Sequence, residues 1–250
     1  MMDERMTLYP GERVDDLQRG GLRIIQRAAG FRFGTDAVLL ADFACVRRGE
    51  RVCDMGTGTG VLPLLLSARA EGTTFDAFEA QPDVADMASR SVRLNALESR
   101  IRVHHADCRD AARLIGHGVC SLVVTNPPYT DAGSGLVSPD DIRAMARSAS
   151  DCMLPEWMAA CARVLRNGGR LCCVFPAPRF LQLCDAMRAA RVEPKRVRFV
   201  AARADAAPKL VLAEGRKEGR PGLHVDPLLI THREDGGFTD EMRRIYGESE

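Results

Sequence analysis

Four consecutive residues, Asn126-Pro127-Pro128-Tyr129, follow an apolar run at 119–125 and could act on a flat group that carries nitrogen. An exocyclic amine or an amide nitrogen is a poor nucleophile because its lone pair is delocalised. The Asn126 side-chain oxygen can accept one N–H of such a group, and the Pro127 carbonyl the other. Two acceptors out of the plane favour a pyramidal nitrogen whose lone pair points at an electrophile. The two prolines fix φ and remove N–H groups that would compete for those acceptors. The acceptors are then rigid before the reaction begins, which electrostatic catalysis requires. Tyr129 offers an aromatic face for stacking. The competing reading is a proline-rich turn that closes a strand.

A second group stands upstream. Asp54-Met55-Gly56-Thr57-Gly58-Thr59-Gly60 follows a short apolar strand pattern. Glycines there let the backbone turn sharply and approach a ligand. The helix N-terminus behind them offers free N–H groups to negative charge. The spacing is Gly-x-Gly-x-Gly, not the Gly-x-Gly-x-x-Gly of a dinucleotide site. An acid directly before the loop would repel a pyrophosphate, but it suits a zwitterion. Asp54 can face an ammonium while the amides around Gly56, Thr57, Gly58 and Gly60 face a carboxylate. Glu79 ends the next strand pattern and can accept ribose hydroxyls. Asp107 follows the third and could accept from an adenine amino group. In that order these residues read as a site for S-adenosylmethionine. A nicotinamide enzyme is the alternative, but the chain offers no candidate hydride-transfer site. With that donor the pyramidal nitrogen attacks an activated methyl. Alignment does much of the work, and no general base is needed.

Alternating elements must hold these groups. Strand patterns occupy 51–54, 74–78, 101–105, 119–125 and 171–175; helical patterns occupy 61–70, 83–97, 155–165 and 179–190. Strands alternating with helices mean a parallel doubly wound sheet. The glycines of Asn167-Gly168-Gly169 read as a helix stop. Runs at 196–201 and 210–214 have no helix between them and must be antiparallel. The expected fold is therefore α/β, a doubly wound seven-stranded mostly parallel sheet with one antiparallel strand near the edge. Residues 228–231 are a candidate for a further short strand. Residues 1–48 form an N-terminal extension with a helical stretch at 36–44, and 49–250 form the main domain. Residues 130–150, with Gly133, Gly135 and Pro139, read as a long loop that caps a site.

Composition narrows the class. Apolar residues make up 46% and charged residues 28% of the 250, as in soluble globular proteins. The first residues are charged where a signal peptide needs an apolar stretch, and no run approaches a membrane span, so a cytoplasmic location is expected. The nine cysteines show no Cys-x-x-Cys spacing, which argues against both a disulfide framework and a metal site. Adjacent His104 and His105 would point to opposite strand faces and cannot share an ion. Charge is uneven: residues 188–220 hold ten basic residues against four acidic ones, in a chain whose net charge is +1. Such a segment suits a polyanion; the plain alternative is a solvated surface.

With these motifs in hand, the chain resembles the bacterial tRNA(Val) adenine-N6 methyltransferases, within the Asn-Pro-Pro-Tyr class of methyltransferases. The resemblance runs from about Leu17 to Tyr246 and rests on four stretches. Besides the glycine loop and the tetrad, these are Gly30-Phe31-Arg32-Phe33-Gly34-Thr35-Asp36-Ala37-Val38-Leu39-Leu40-Ala41 and Lys209-Leu210-Val211-Leu212-Ala213-Glu214-Gly215-Arg216-Lys217. The chain departs from the family after Ala146-Arg147, where Ser148-Ala149 replaces His-Glu.

The resemblance implies a Rossmann-like class I fold and, as target, an adenine just 3′ of the anticodon. It also implies that the segment before the first sheet strand lies over the cofactor, with Phe33, Thr35 and Asp36 near its methionine end; an N-cap by Thr35 or Asp36 is the alternative. A loop purine must unstack to reach such a site. Arg32, Arg143, Lys209, Arg216, Lys217 and Arg220 are the expected phosphate contacts, while Arg147 could be structural. The expected partner is RNA, with no membrane and no metal. Protein-glutamine methylation is the alternative activity, since a glutamine amide presents the same planar nitrogen. A cofactor-binding RNA module without activity is the third reading.

Overall fold

The computed structural model describes residues 8–28, 34–127 and 154–248. Strands β3 (Arg51–Met55), β4 (Thr74–Glu79), β5 (Ile101–His105), β6 (Cys120–Thr125) and β7 (Leu165–Pro176) are parallel neighbours. They lie in the order β5-β4-β3-β6-β7, so strand order reverses between β3 and β6. Next to β7 comes β9 (Leu210–Lys217), antiparallel to both of its neighbours, and then β8 (Val192–Ala201). These seven strands, with β9 reversed, are the sheet expected from the sequence. Two further strands of two residues each, β10 (His224–Val225) and β11 (Leu229–Ile230), pair in parallel with β8.

Alternation along the strands gives the sheet two apolar faces. Val52, Leu122, Val124, Cys172, Val174 and Leu212 point to one side. There they meet helices α1 (Thr35–Phe43) and α2 (Val61–Ser67). Cys53, Val123, Leu171, Cys173 and Val211 point to the other. There they meet α4 (Ala111–Ile115), α5 (Leu154–Val164) and α6 (Phe180–Ala189). Strands apolar on both faces belong in the middle of a parallel sheet covered by helices. The second helix after β3, α3 (Pro82–Leu94), packs beside β5 and β4, and a C-terminal helix α7 (Asp240–Tyr246) lies against α1.

Two local expectations are corrected. Asn167-Gly168-Gly169 does not stop a helix in solvent, because it lies inside β7, where the register with β6 jumps from Cys120↔Leu165 to Leu122↔Arg170. The glycines take up that excursion: a Cβ on Gly169 would meet the Arg166 carbonyl oxygen at 2.8 Å. The end of α5 is held instead by Lys217, whose Nζ donates to the carbonyls of Ala162 and Leu165. The second correction concerns the N-terminal extension. It contains a hairpin, β1 (Glu12–Asp16) with β2 (Arg23–Arg27), in addition to α1. Its Ile25 and Val14 pack with Met87 and Leu94 of α3. Its Glu12 meets Arg90 of α3 in a two-pronged ion pair, both oxygens at 2.6 Å, with Arg90 only 3% exposed. Tyr9 stacks on the Arg90 guanidinium.

Candidate active site

The C-terminal ends of β3, β4 and β6 lie side by side, with Met55 in register with Phe78 and with Thr125. Residues leaving β4 and β6 therefore each emerge about 5 Å from those leaving β3, the spacing of neighbouring strands. Gly56 follows Met55, Glu79 follows Phe78, and Asn126 follows Thr125. The sheet thus brings the glycine loop, the strand-ending acid and the start of the tetrad together at the reversal of strand order, where open α/β sheets bind ligands.

The glycine loop is fastened from below. The amides of Gly56 and Thr57 both donate to the Phe78 carbonyl, at 3.0 and 2.8 Å. Gly56, Gly58 and Gly60 have φ of +76°, +57° and +89°, a region that L side chains enter only at a cost. The Gly58 amide donates to Glu79 Oε2 at 3.0 Å and the Gln81 amide to Oε1 at 2.9 Å. Glu79 is buried, and burial raises its pKa. Each carboxylate oxygen keeps lone-pair capacity for a hydroxyl of a ligand.

Asp54 is fully buried, and neither of its oxygens has a hydrogen-bond partner. The Thr57 hydroxyl is orphaned in the same way. Burial, opposed in part by the nearby Thr57 hydroxyl and helped by the Glu79 charge, pushes the Asp54 carboxyl up to about 7. Buried polar groups without partners are costly, so a residue pair of this kind is explained by a ligand that supplies the missing contacts. An ammonium beside Asp54 would do so. Asp54 therefore fits the ammonium of S-adenosylmethionine, whereas the amides of Gly56, Thr57, Gly58 and Gly60, expected to face its carboxylate, already donate to the carbonyls of Phe78 and Thr57 and to Glu79.

Other expected residues are placed differently. Asp107 caps a short 3₁₀ turn and grips Arg109, with Oδ1 taking the Arg109 amide at 2.8 Å and Oδ2 taking Nη2 at 2.7 Å. The N-cap of α1 is Gly34, without a side-chain cap, so neither Thr35 nor Asp36 is the cap. Thr35 Oγ1 lies 3.1 Å from the Tyr246 hydroxyl. Burial raises the pKa of Asp36. Pro127 is buried beside Asn126. Phe33, Pro128, Tyr129, Arg32, Arg143 and the 130–150 loop lie outside the described residues.

The expected phosphate contacts fall into two groups. Lys209 sits at the catalytic edge, its carbonyl accepting from Ala177 next to the end of β7. Arg216 and Lys217 lie at the far end of β9, seven and eight residues away, or roughly 23 to 26 Å along an extended strand. Arg220 follows them on that side, beside Lys195. The Lys217 ammonium is already occupied by the carbonyls at the end of α5. Much of the basic segment is paired as well: Arg188 with Glu193, Arg191 with Glu218, Arg196 with Asp226 and Arg198 with Glu241. The structure does not bring Arg216, Lys217 and Arg220 to the site.

One residue at the site gives no signal in the sequence. Trp157 of α5 donates its indole N–H to Thr125 Oγ1 at 2.9 Å, and Thr125 donates to the Met55 carbonyl at 2.8 Å. In a sequence pattern it is one more apolar position on a helix.

The methyltransferase small domain family matches residues 31–197. The tRNA1(Val) (adenine(37)-N6)-methyltransferase of Tolumonas auensis is 32% identical over 234 residues, covering 90% of this chain and 92% of its own. The chain belongs to this methyltransferase family. A relative of the same name from Parabacteroides distasonis is 30% identical, over 86% of this chain and 90% of its own. Among solved structures, a predicted O-methyltransferase from Agrobacterium tumefaciens aligns with a TM-score of 0.69 at 23% identity, covering 85% of this chain and 96% of that one. The 16S rRNA N2 methyltransferase of T. thermophilus, solved with AdoMet and guanosine, aligns at 0.59 and 18% identity over 85% of this chain and 52% of that one. At such identities these two speak for the fold alone, and it is the methyltransferase fold expected from the sequence. Among the described residues no helix is long and apolar enough to cross a membrane, and no cluster could hold a metal ion.

Proposed function

We propose that the chain transfers a methyl group from S-adenosylmethionine to the exocyclic N6 amine of an adenine in tRNA, beside the anticodon. The observation that carries this reading is the buried, unpartnered Asp54 beneath the glycine turn, one strand from Asn126. The relatives above are named for adenine-N6 in tRNA, so the glutamine alternative is not favoured.

In this reading the cofactor supplies an electrophilic methyl on a sulfonium, which needs no further activation. Asp54 faces its ammonium and Glu79 accepts from its ribose, while the amides of Gly56, Thr57, Gly58 and Gly60, which donate within the protein, are not assigned to its carboxylate. Asp107 is assigned to the adenine end. Asn126 and the Pro127 carbonyl accept the two N–H groups of the substrate amine, Pro128 holds the loop stiff, and Tyr129 stacks on the base. The proton leaves after transfer. Residues 1–48 serve as an extension over the cofactor site. The hairpin lies on α3, which starts three residues beyond Glu79, and Thr35 is tied to Tyr246; these anchors support that role and the assignment of Phe33, Thr35 and Asp36. Arg32, Arg143 and Lys209 are assigned to RNA phosphates, Lys209 from the catalytic edge; Arg216, Lys217 and Arg220 could reach RNA only from the opposite edge.

The test is methyl transfer to unmodified tRNA followed by nucleoside analysis. N6-methyladenosine is expected, and Asn126→Ala should cut kcat about 10²-fold or more while cofactor affinity holds. Label appearing on a glutamine peptide and not on RNA would overturn the substrate; an Asn126→Ala variant with full turnover would overturn the mechanism.

A further inference from the structure

The described site holds a brace that the reaction scheme above leaves unused. Trp157 is the single tryptophan of the chain and is 9% exposed. Its indole N–H reaches Thr125, and the Thr125 hydroxyl reaches the Met55 carbonyl. Thr125 is wholly buried, so neither hydrogen bond competes with water. The same indole lies flush on the glycine turn: a Cβ at position 56 would stand 3.1 Å from both Cζ2 and Cη2 of its ring. One side chain therefore meets the residue before Asn126 by a hydrogen bond and the residue after Met55 by ring contact. It comes from a third element, α5.

We propose that Trp157 is a positioning residue that fixes the distance between the cofactor turn at Gly56 and the methyl-acceptor loop at Asn126. This rests on the assignment of those two loops above. The need for such a part is physical. Methyl transfer requires carbon and nitrogen in line and nearly in contact, and a misplacement of about 1 Å can cost 10²-fold in rate. Adjacent strands fix their own spacing, but the loops beyond their ends have no ladder between them. The indole supplies a rigid plane across that gap, and its N–H fixes the rotation of the plane. Trp157 touches neither reacting group, so its loss should appear in kcat rather than in binding.

The test pairs Trp157→Phe, which keeps a ring and loses the N–H, with Thr125→Val and Thr125→Ser. Trp157→Phe and Thr125→Val should each lower kcat about tenfold, with KM for RNA and cofactor little changed. Thr125→Ser restores the hydroxyl and should recover the rate. The double variant should lose no more than either single one, because both remove the same bridge. Full kcat in Trp157→Phe, a loss confined to KM, or additive losses would overturn the proposal. If Trp157→Phe fails to fold, the two Thr125 variants decide. A second readout needs no turnover: Trp157 fluorescence should shift on saturation with S-adenosylhomocysteine, with binding confirmed by calorimetry. An unchanged emission on binding also overturns the brace. A protein that binds with the emission shift yet methylates no RNA would sink the functional reading and leave the brace standing.

Discussion

At the scale of single residues, Asp54 places function and stability in opposition. Its carboxyl is wholly buried and unpartnered, and its pKa stands at about 7 against an ordinary 3.8. A raised acid pKa means that the folded state holds a proton the unfolded chain has released between those two values. Stability without cofactor therefore falls as pH rises from about 4 to 7, and the full penalty persists above 7. Its ceiling is on the order of 4 kcal/mol, from 1.36 kcal/mol for each pKa unit. Asp54→Asn should raise the melting temperature of the cofactor-free protein at pH 8, leave it nearly unchanged at pH 4, and weaken S-adenosylhomocysteine binding. Calorimetry at the two pH values checks the first pair of outcomes and titration the third. A variant that is no more stable at pH 8 would show that Asp54 is solvated after all.

At the scale of elements, one buried charged pair, Glu12 with Arg90, helps to fasten the hairpin to α3. Arg90 donates to both oxygens of Glu12 at 2.6 Å and to Asp86 at 2.7 Å. The hydrogen bonds from Arg90 hold the Glu12 carboxyl below its ordinary 4.5. That contribution is present above pH 4.5 and is lost as pH falls through the lowered value. Removing one partner of a buried pair strands the other charge, a cost of about 3–5 kcal/mol. Arg90→Met should show a loss of that order in denaturant unfolding, and Arg90→Met with Glu12→Met should recover part of it. The hairpin was also the element least visible in the sequence. Glu-Arg-Val-Asp-Asp offers one apolar residue, and Arg-Ile-Ile-Gln-Arg places its two side by side without alternation. Both strands exist because α3 provides a face for Ile25 and a partner for Glu12. The parallel core was legible because its strands are apolar on both faces, and β5 fell on the residues expected. Within the site, the glycine turn, Glu79 and Asn126 carry their chemistry in their types and spacing. Trp157 does not, since its partners Thr125 and Gly56 are 32 and 101 positions away. The Asn167-Gly168-Gly169 run misled because glycine serves a strand excursion as readily as a helix end.

At the scale of the whole molecule, charge placed along the sequence is not charge placed on one surface. Antiparallel β9 carries Lys209 at the catalytic edge and Lys217 at the opposite one. Lys209→Glu should weaken RNA binding and lower the slope of log affinity against log salt by about one. Arg216→Glu should leave both almost unchanged, and equal effects from the two would mean that RNA reaches the far edge as well. The outer rim of β8 has a different consequence. Val225 and Leu223 there are 57% and 45% exposed, and an apolar strand at a sheet margin ordinarily recruits other chains. Here the rim is broken into β10 and β11, two residues each, with Pro227 between them. Partners of β8 step from Val225↔Val197 to Leu229↔Val200, so the two fragments are out of phase by one residue. Arg198 donates to the Pro227 carbonyl and holds the break in place. Along this rim a second molecule finds no continuous ladder on which to grow, so association through β8 should stay absent from light scattering until the fold itself melts.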